Sequence, residues 1–143
     1  MPMRGVRGAI VAEDNHPDAI LSATRELLEA MLLANPSLQL TDLASVFFTM
    51  TDDLDAIYPA MASRELGWDS VPILCGREIP VPGGQRRCIR ALLHWNTDVQ
   101  QDEVRHVYLG EAASLRPDLA SKTDQYFRRI DASGLEKERR EQP

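Results

Sequence analysis

The sequence predicts an α+β domain in which helices cover one face of a mixed β-sheet. Three observations carry that expectation. Five short stretches are rich in β-branched, aromatic and small apolar residues. Two stretches between the first three of them have helical spacing. The last three extended stretches follow one another with only turns between. At 143 residues the chain has room for one core and not two.

The first element is Arg4 to Ala12 (RGVRGAIVA), a strand whose alternation places Val6, Gly8 and Ile10 on one face and Arg7, Ala9 and Val11 on the other. Pro17 suits a first helical position, and Asp18 in the first turn complements the helix dipole. From Asp18 to Ala34 a stripe of Ile20, Thr24, Leu27, Leu28, Met31 and Leu32 predicts a helix with one buried face, ended by Asn35-Pro36. Leu43 to Met50 (LASVFFTM) is a buried strand preceded by a single helical turn opened by Thr41. Pro59 to Gly67 is a short helix with proline just inside its start and glycine at its end.

Val71 to Glu78 is the third strand, and the prolines of Ile79 to Gly84 make an irregular turn. Arg87 to Trp95 (RCIRALLHW) is the clearest central strand, and Val104 to Leu109 (VRHVYL) the last. A short helical piece then leads to Leu115-Arg116-Pro117. The chain divides into a domain of residues 1–119 and a polar extension of residues 120–143, partly disordered or loosely docked. Its end, EKERREQP, is expected to be disordered, while Tyr126, Phe127 and Ile130 suit one docked helical turn.

Composition narrows the partners. Lys and Arg total 16 against 22 Asp and Glu, a net charge of −6, so neither DNA nor anionic lipid is an expected ligand. Any bound anion must be held by a few placed arginines. Cys75 and Cys88 have neither zinc nor redox spacing; adjacent strands would let them meet, but a disulfide is not expected. No apolar run suits a signal peptide or a membrane helix, which makes the cytosol the expected compartment.

Arginine inside strands that otherwise read as core is the informative oddity. Arg7 lies between Gly5 and Gly8, and Arg90 faces the same way as Cys88 and Leu92. A guanidinium there is expensive to desolvate and needs a carboxylate or an anionic ligand. Glu78 on the neighbouring strand is the obvious internal partner, and an internal salt bridge and a ligand site are both open at this point. Gly5, Gly8 and Gly76 would let backbone or ligand approach closely. Arg7, Glu78, Arg90 and Tyr108 together would suit a small dianion carrying a hydroxyl or developing positive charge.

Other groups fit structural roles better. His94 and His106 read as satisfied strand histidines, Asp52, Asp53 and Asp55 as a solvated loop and helix start, and Trp68 and Trp95 as packing residues. No hydrolase order, zinc-protease motif, P-loop or dinucleotide fingerprint occurs.

MRGVRGAI, VPILCGRE from Val71 to Glu78, CIR ending at Arg90, NTDVQQDEVRHVYL and LRPDL are long and collinear. Over roughly residues 3 to 119 they resemble the small monofunctional chorismate mutases of the AroH class. The resemblance implies a bacillus chorismate mutase-like fold: a homotrimer whose sheets form a pseudo-α/β-barrel, with active sites in clefts between subunits. It implies the isomerisation of chorismate to prephenate in aromatic amino-acid biosynthesis, with no metal and no cofactor.

The resemblance also assigns roles. Arg90 would face the ether oxygen and the enolpyruvyl carboxylate. Glu78 would accept from the ring hydroxyl, bordered by Leu74, Cys75, Gly76 and Arg77. Arg7 and Tyr108 would hold a carboxylate. Tyr58, Ala60 and Arg64 would come from the neighbouring subunit, and Leu115 and Arg116 would partly close the cleft. Met61 stands where relatives can carry lysine and Leu74 where threonine can occur, which touches substrate capture more than the chemical step. Two rival readings are a trimeric imine deaminase of the YjgF type, identified by ammonia release, and a non-catalytic small-anion binding protein, identified by binding without turnover.

Overall fold

Alternation along four strands fixes two unlike faces of one sheet. The structure, a computed structural model, describes residues 1–141, and side-chain surroundings through residue 131. Its strands are β1 (Met3–Val11), β2 (Leu43–Met50), β3 (Ile73–Arg77), β4 (Cys88–Asn96) and β5 (Val107–Tyr108). They run in the order β3-β2-β4-β1-β5. β4 is antiparallel to both β1 and β2, while β3 is parallel to β2 and β5 to β1. The expected mixed α+β sheet is therefore present.

Helix α1 (Pro17–Ala34) covers the first face. His16 caps it by accepting from the Asp18 N–H, and Pro17 opens it as expected. Ile20, Thr24, Leu27, Leu28 and Met31 are buried, and the apolar ones among them share a core with Val6, Ile10, Val46, Phe48, Ile89, Leu93 and Trp95 from the sheet. Gly8 permits this contact: a Cβ there would lie 2.6 Å from the Met31 sulfur. The close approach expected at Gly8 is thus made by the helix and not by a ligand. The short α2 (Ala60–Glu65) packs beside α1 in the same layer and is tied to it by the Arg25–Glu65 ion pair.

Several boundaries differ from the sequence expectation. β5 has two residues, because the N–H and C=O of Arg105 are bound by the side-chain amide of Asn35 and not by a strand ladder. β3 begins only after Pro72, and Arg87 turns with a φ of 49° just before β4. β2 lies between β3 and β4, so Cys75 and Cys88 do not meet, and both are free. For the same reason Glu78 is not on a strand adjacent to Arg90.

The second face is partly covered. A 3₁₀ segment at Gly110–Leu115 and the start of α3 (Pro117–Glu141) pack Ala112 and Ala120 against Ala9, Cys88 and Tyr108. Further along α3, Thr123 donates to the His106 carbonyl, and Arg105 lies 3.7 Å over the Tyr126 ring. The docking expected of Tyr126 and Phe127 has this basis, and both pack against the main core. The disorder expected at the chain end falls on positions outside the described side chains. Among the described residues, no helix is long and apolar enough to cross a membrane.

Gly8→Ala should cost about 1–3 kcal/mol, because the methyl must displace Met31 from a filled contact. A lowered thermal midpoint checks this, and an unchanged midpoint would show that α1 has slack.

Candidate active site

The uncovered part of the second face carries the charged side chains. One cross-sheet row runs Gly76, Thr49, Arg90, Ala9 and Tyr108. The row beside it runs Leu74, Phe47, Leu92 and Arg7. Register partners share a face, so Arg90 stands near the middle of the sheet with Arg7 as a diagonal neighbour. Phe47 is 39% and Leu74 71% exposed, an apolar border that one chain leaves uncovered. Gly76 is needed here because the Phe47 ring lies over it; a Cβ would come within 2.9 Å. Protein and not ligand takes the space that the sequence left for either.

Glu78 follows β3 by one residue, and its N–H is held by the Met50 carbonyl at 3.0 Å. Its side chain reaches across β2 towards Arg90. The Arg90 Nε to Glu78 Oε1 separation is 3.8 Å, an ion pair without a hydrogen bond. The Arg90 Nε is buried and has no partner among the described residues. Thr49 Oγ1 donates to the same Oε1 at 2.6 Å. A cleft of about 410 Å³ opens beside this group, lined in part by Thr51, Asp53, Glu78, Ile79 and Arg90. Cys88 lies next to it; burial pushes its thiol up by more than the neighbouring Arg90 pulls it down.

Behind the cleft, Asp53 braces the start of β4. It accepts from the Arg87 N–H at 2.9 Å and from the Thr51 hydroxyl at 2.6 Å, while Thr51 accepts from the Cys88 N–H. Burial alone would push the Asp53 carboxyl up, but these hydrogen bonds and Arg86 offset it, and the net shift is downward. The sequence reading saw Asp53 only as loop. It also missed Thr49 and Thr51, whose one signal was hydroxyl residues alternating with Phe47 along the end of an apolar strand.

At the β1 side, the Arg7 guanidinium has no partner among the described residues, while the backbone N–H of Arg7 donates to His106 Nδ1 at 3.0 Å. His106 is shifted down by burial first and then by Arg7 and Arg116. Tyr108 is only 5% exposed, under Ala112 and Ala120. Leu115 packs in that cluster, and Arg116 pairs with Asp118 at 3.1 Å.

The structure therefore brings together Arg90, Glu78 and Arg7, with Tyr108, Leu74 and Gly76 on the same face. Other expected site residues lie elsewhere. The Cys75 thiol points to the helix layer, near the Ala60 backbone, and burial raises its pKa. Arg77 turns to the β2–β3 side, donating to the Thr51 and Leu54 carbonyls and pairing with Asp52 at 3.6 Å. Tyr58, Ala60 and Arg64 sit on or beside α2, in the layer that covers the opposite face. A larger cleft of about 690 Å³ lies between the end of α1 and α3, but Asn35 and Arg105 in its wall are committed to backbone carbonyls and to the Tyr126 ring.

Residues 3–119 match the family model for chorismate mutase type I. The chain belongs to that family. It is 56% identical over 119 residues to the chorismate mutase AroH of Thermus thermophilus, covering 83% of this chain and 98% of that protein. It is 43% identical over 121 residues to the chorismate mutase AroH of Bacillus subtilis, covering 84% and 94%. A solved chorismate mutase of Clostridium thermocellum superposes with a TM-score of 0.75 at 43% identity, covering 77% of this chain and 97% of that one. Membership sets aside the imine deaminase reading.

Burial, with Arg7 and Arg116 nearby, disfavours the charged imidazolium of His106, and its neutral form accepts the Arg7 backbone N–H, so folding favours the neutral form. With a folded pKa below the ordinary value near 6.5, this contribution is complete above about pH 6.5 and is lost as pH falls through the folded pKa. Thermal midpoints measured from pH 7.5 downwards should fall more in wild type than in His106→Asn, which keeps an uncharged acceptor. Equal slopes would contradict the assignment.

Proposed function

We propose that this protein catalyses the rearrangement of chorismate to prephenate, with Arg90 and Glu78 as the two groups that act on the reacting atoms. One observation carries the reading: opposite charges from β4 and the end of β3 face one open cleft yet do not close on each other. Family membership supplies the substrate.

The reaction breaks one C–O bond and forms one C–C bond, with no proton transfer and no covalent intermediate. The protein has two tasks. One is to hold a flexible dianion in the compact, chair-like geometry in which the reacting carbons meet. Arg7, with no partner among the described residues, suits a carboxylate in that task, and Tyr108 borders the same position. The second task is electrostatic. Bond breaking runs ahead of bond making, so negative charge grows on the ether oxygen and positive charge on the ring. Arg90 is placed for the first and Glu78 for the second, and fixed groups of this kind raise kcat more than they lower KM.

We also infer that the working form is a homotrimer. Phe47, Leu74 and the guanidinium of Arg7 lie on a face that one chain leaves open. Tyr58 and Arg64 are exposed on the opposite layer, where they cannot serve their own chain's cleft but can serve a neighbour's. This arrangement supports sites shared between subunits.

Purified protein should consume chorismate, followed by its ultraviolet absorbance, and yield prephenate alone. Arg90→Ala should lose at least about 10² to 10³ in kcat, or about 3–4 kcal/mol. Arg90→Lys should recover little, because the planar fork is gone. No decay above the uncatalysed rate, in folded protein of trimeric mass, would overturn the assignment.

A further inference from the structure

A carboxylate and a guanidinium that share a cleft normally close to a charge-assisted hydrogen bond of about 2.7–2.9 Å. Here they do not. Thr49 lies on β2, between β3 and β4, in register with Arg90 on one side and Gly76 on the other. Its hydroxyl has Glu78 Oε1 at 2.6 Å, and that is the oxygen from which Arg90 Nε stands at 3.8 Å. Glu78 is also fixed at its backbone by Met50, so only its side-chain torsions remain free to carry the carboxylate towards Arg90. The buried Nε that results has no partner among the described residues, which is costly unless something else uses it.

We propose that Thr49 is a positioning residue for the reaction: its hydroxyl anchors one oxygen of Glu78 and so keeps the Glu78–Arg90 pair open. The inference deepens the mutase reading above and rests on it. With Oε1 held by Thr49, Oε2 is left for the ring side of the substrate, and the guanidinium is left for the ether oxygen. Without the hydroxyl, Glu78 swings onto Arg90, each charge is spent on the other, and neither is aimed at the transition state. The effect belongs to kcat, since both groups act there, while Arg7 continues to hold the carboxylate.

The test is a double-mutant cycle on chorismate turnover. Thr49→Val keeps the shape and removes the donor; it should lower kcat about 10- to 100-fold with KM near the wild-type value. Thr49→Ser should restore most of the rate. On a Glu78→Ala background, Thr49→Val should cause no further loss. Circular dichroism and thermal midpoints check folding, and Thr49→Ala repeats the cycle if valine is not accepted. A wild-type kcat in Thr49→Val, or the same loss in both backgrounds, overturns the inference about Thr49 alone. A wild-type kcat in Glu78→Ala overturns the catalytic role of Glu78, and the role of Thr49 with it.

Discussion

A guanidinium held near the middle of a β-sheet, with its carboxylate partner kept at arm's length, is the constraint on which the rest of this structure depends. Arg90 cannot be left uncompensated at half-burial, and Glu78 compensates it only in part. Had the two closed into a bidentate pair, the face would be an ordinary internal salt bridge. The intervening β2 separates their backbones by two strand spacings, and the Thr49 hydroxyl occupies the carboxylate oxygen nearest to Arg90. A strained or open ion pair is a poor source of stability, but it is a preorganised field ready for a ligand that brings charge of its own.

Two unlike faces make this possible. On the first, Gly8 lets α1 sit close, and Ile20, Leu27, Leu28 and Met31 complete a core that needs nothing from the other side. The second face can therefore remain polar and open without loss of the fold. Its β1–β5 margin is closed by Ala112, Ala120 and Leu115, and its β3 margin is left to Phe47 and Leu74. The braces around the cleft are backbone hydrogen bonds to Asp53 and Thr51, which fix where β4 begins and hence where Arg90 points.

Much of this was legible from the residues. Alternation in RGVRGAIVA separated the core face from the arginine face, and the stripe from Ile20 to Met31 located α1. The incongruous Arg90 in CIRALL identified the charged face, and Glu78 was named as its internal partner with a ligand site left equally open. Other features were not legible, for physical reasons. Strand order is a tertiary property, so nothing local told that β2 would come between Glu78 and Arg90, or that Cys75 and Cys88 would be kept apart. VRHVYL has strand propensity throughout, yet the Asn35 amide takes the backbone groups of Arg105 and leaves a two-residue strand. Arg77 looked like part of the site because of its neighbours in sequence; side-chain alternation sends it to Thr51 and Leu54 instead. Thr49 and Thr51 drew no notice, since a hydroxyl in a strand acquires meaning only from what it faces.

The central claim is that the Arg90 guanidinium is held open for the substrate. The most direct measurement is the ¹⁵N–¹H resonance of the Arg90 Nε, assigned by its loss in Arg90→Lys and followed as prephenate is added to saturation. The account predicts a large change at this resonance, because an N–H with no partner among the described residues acquires an oxygen acceptor from the ligand. An unmoved Arg90 Nε signal, with prephenate demonstrably bound and competing with chorismate, would contradict it.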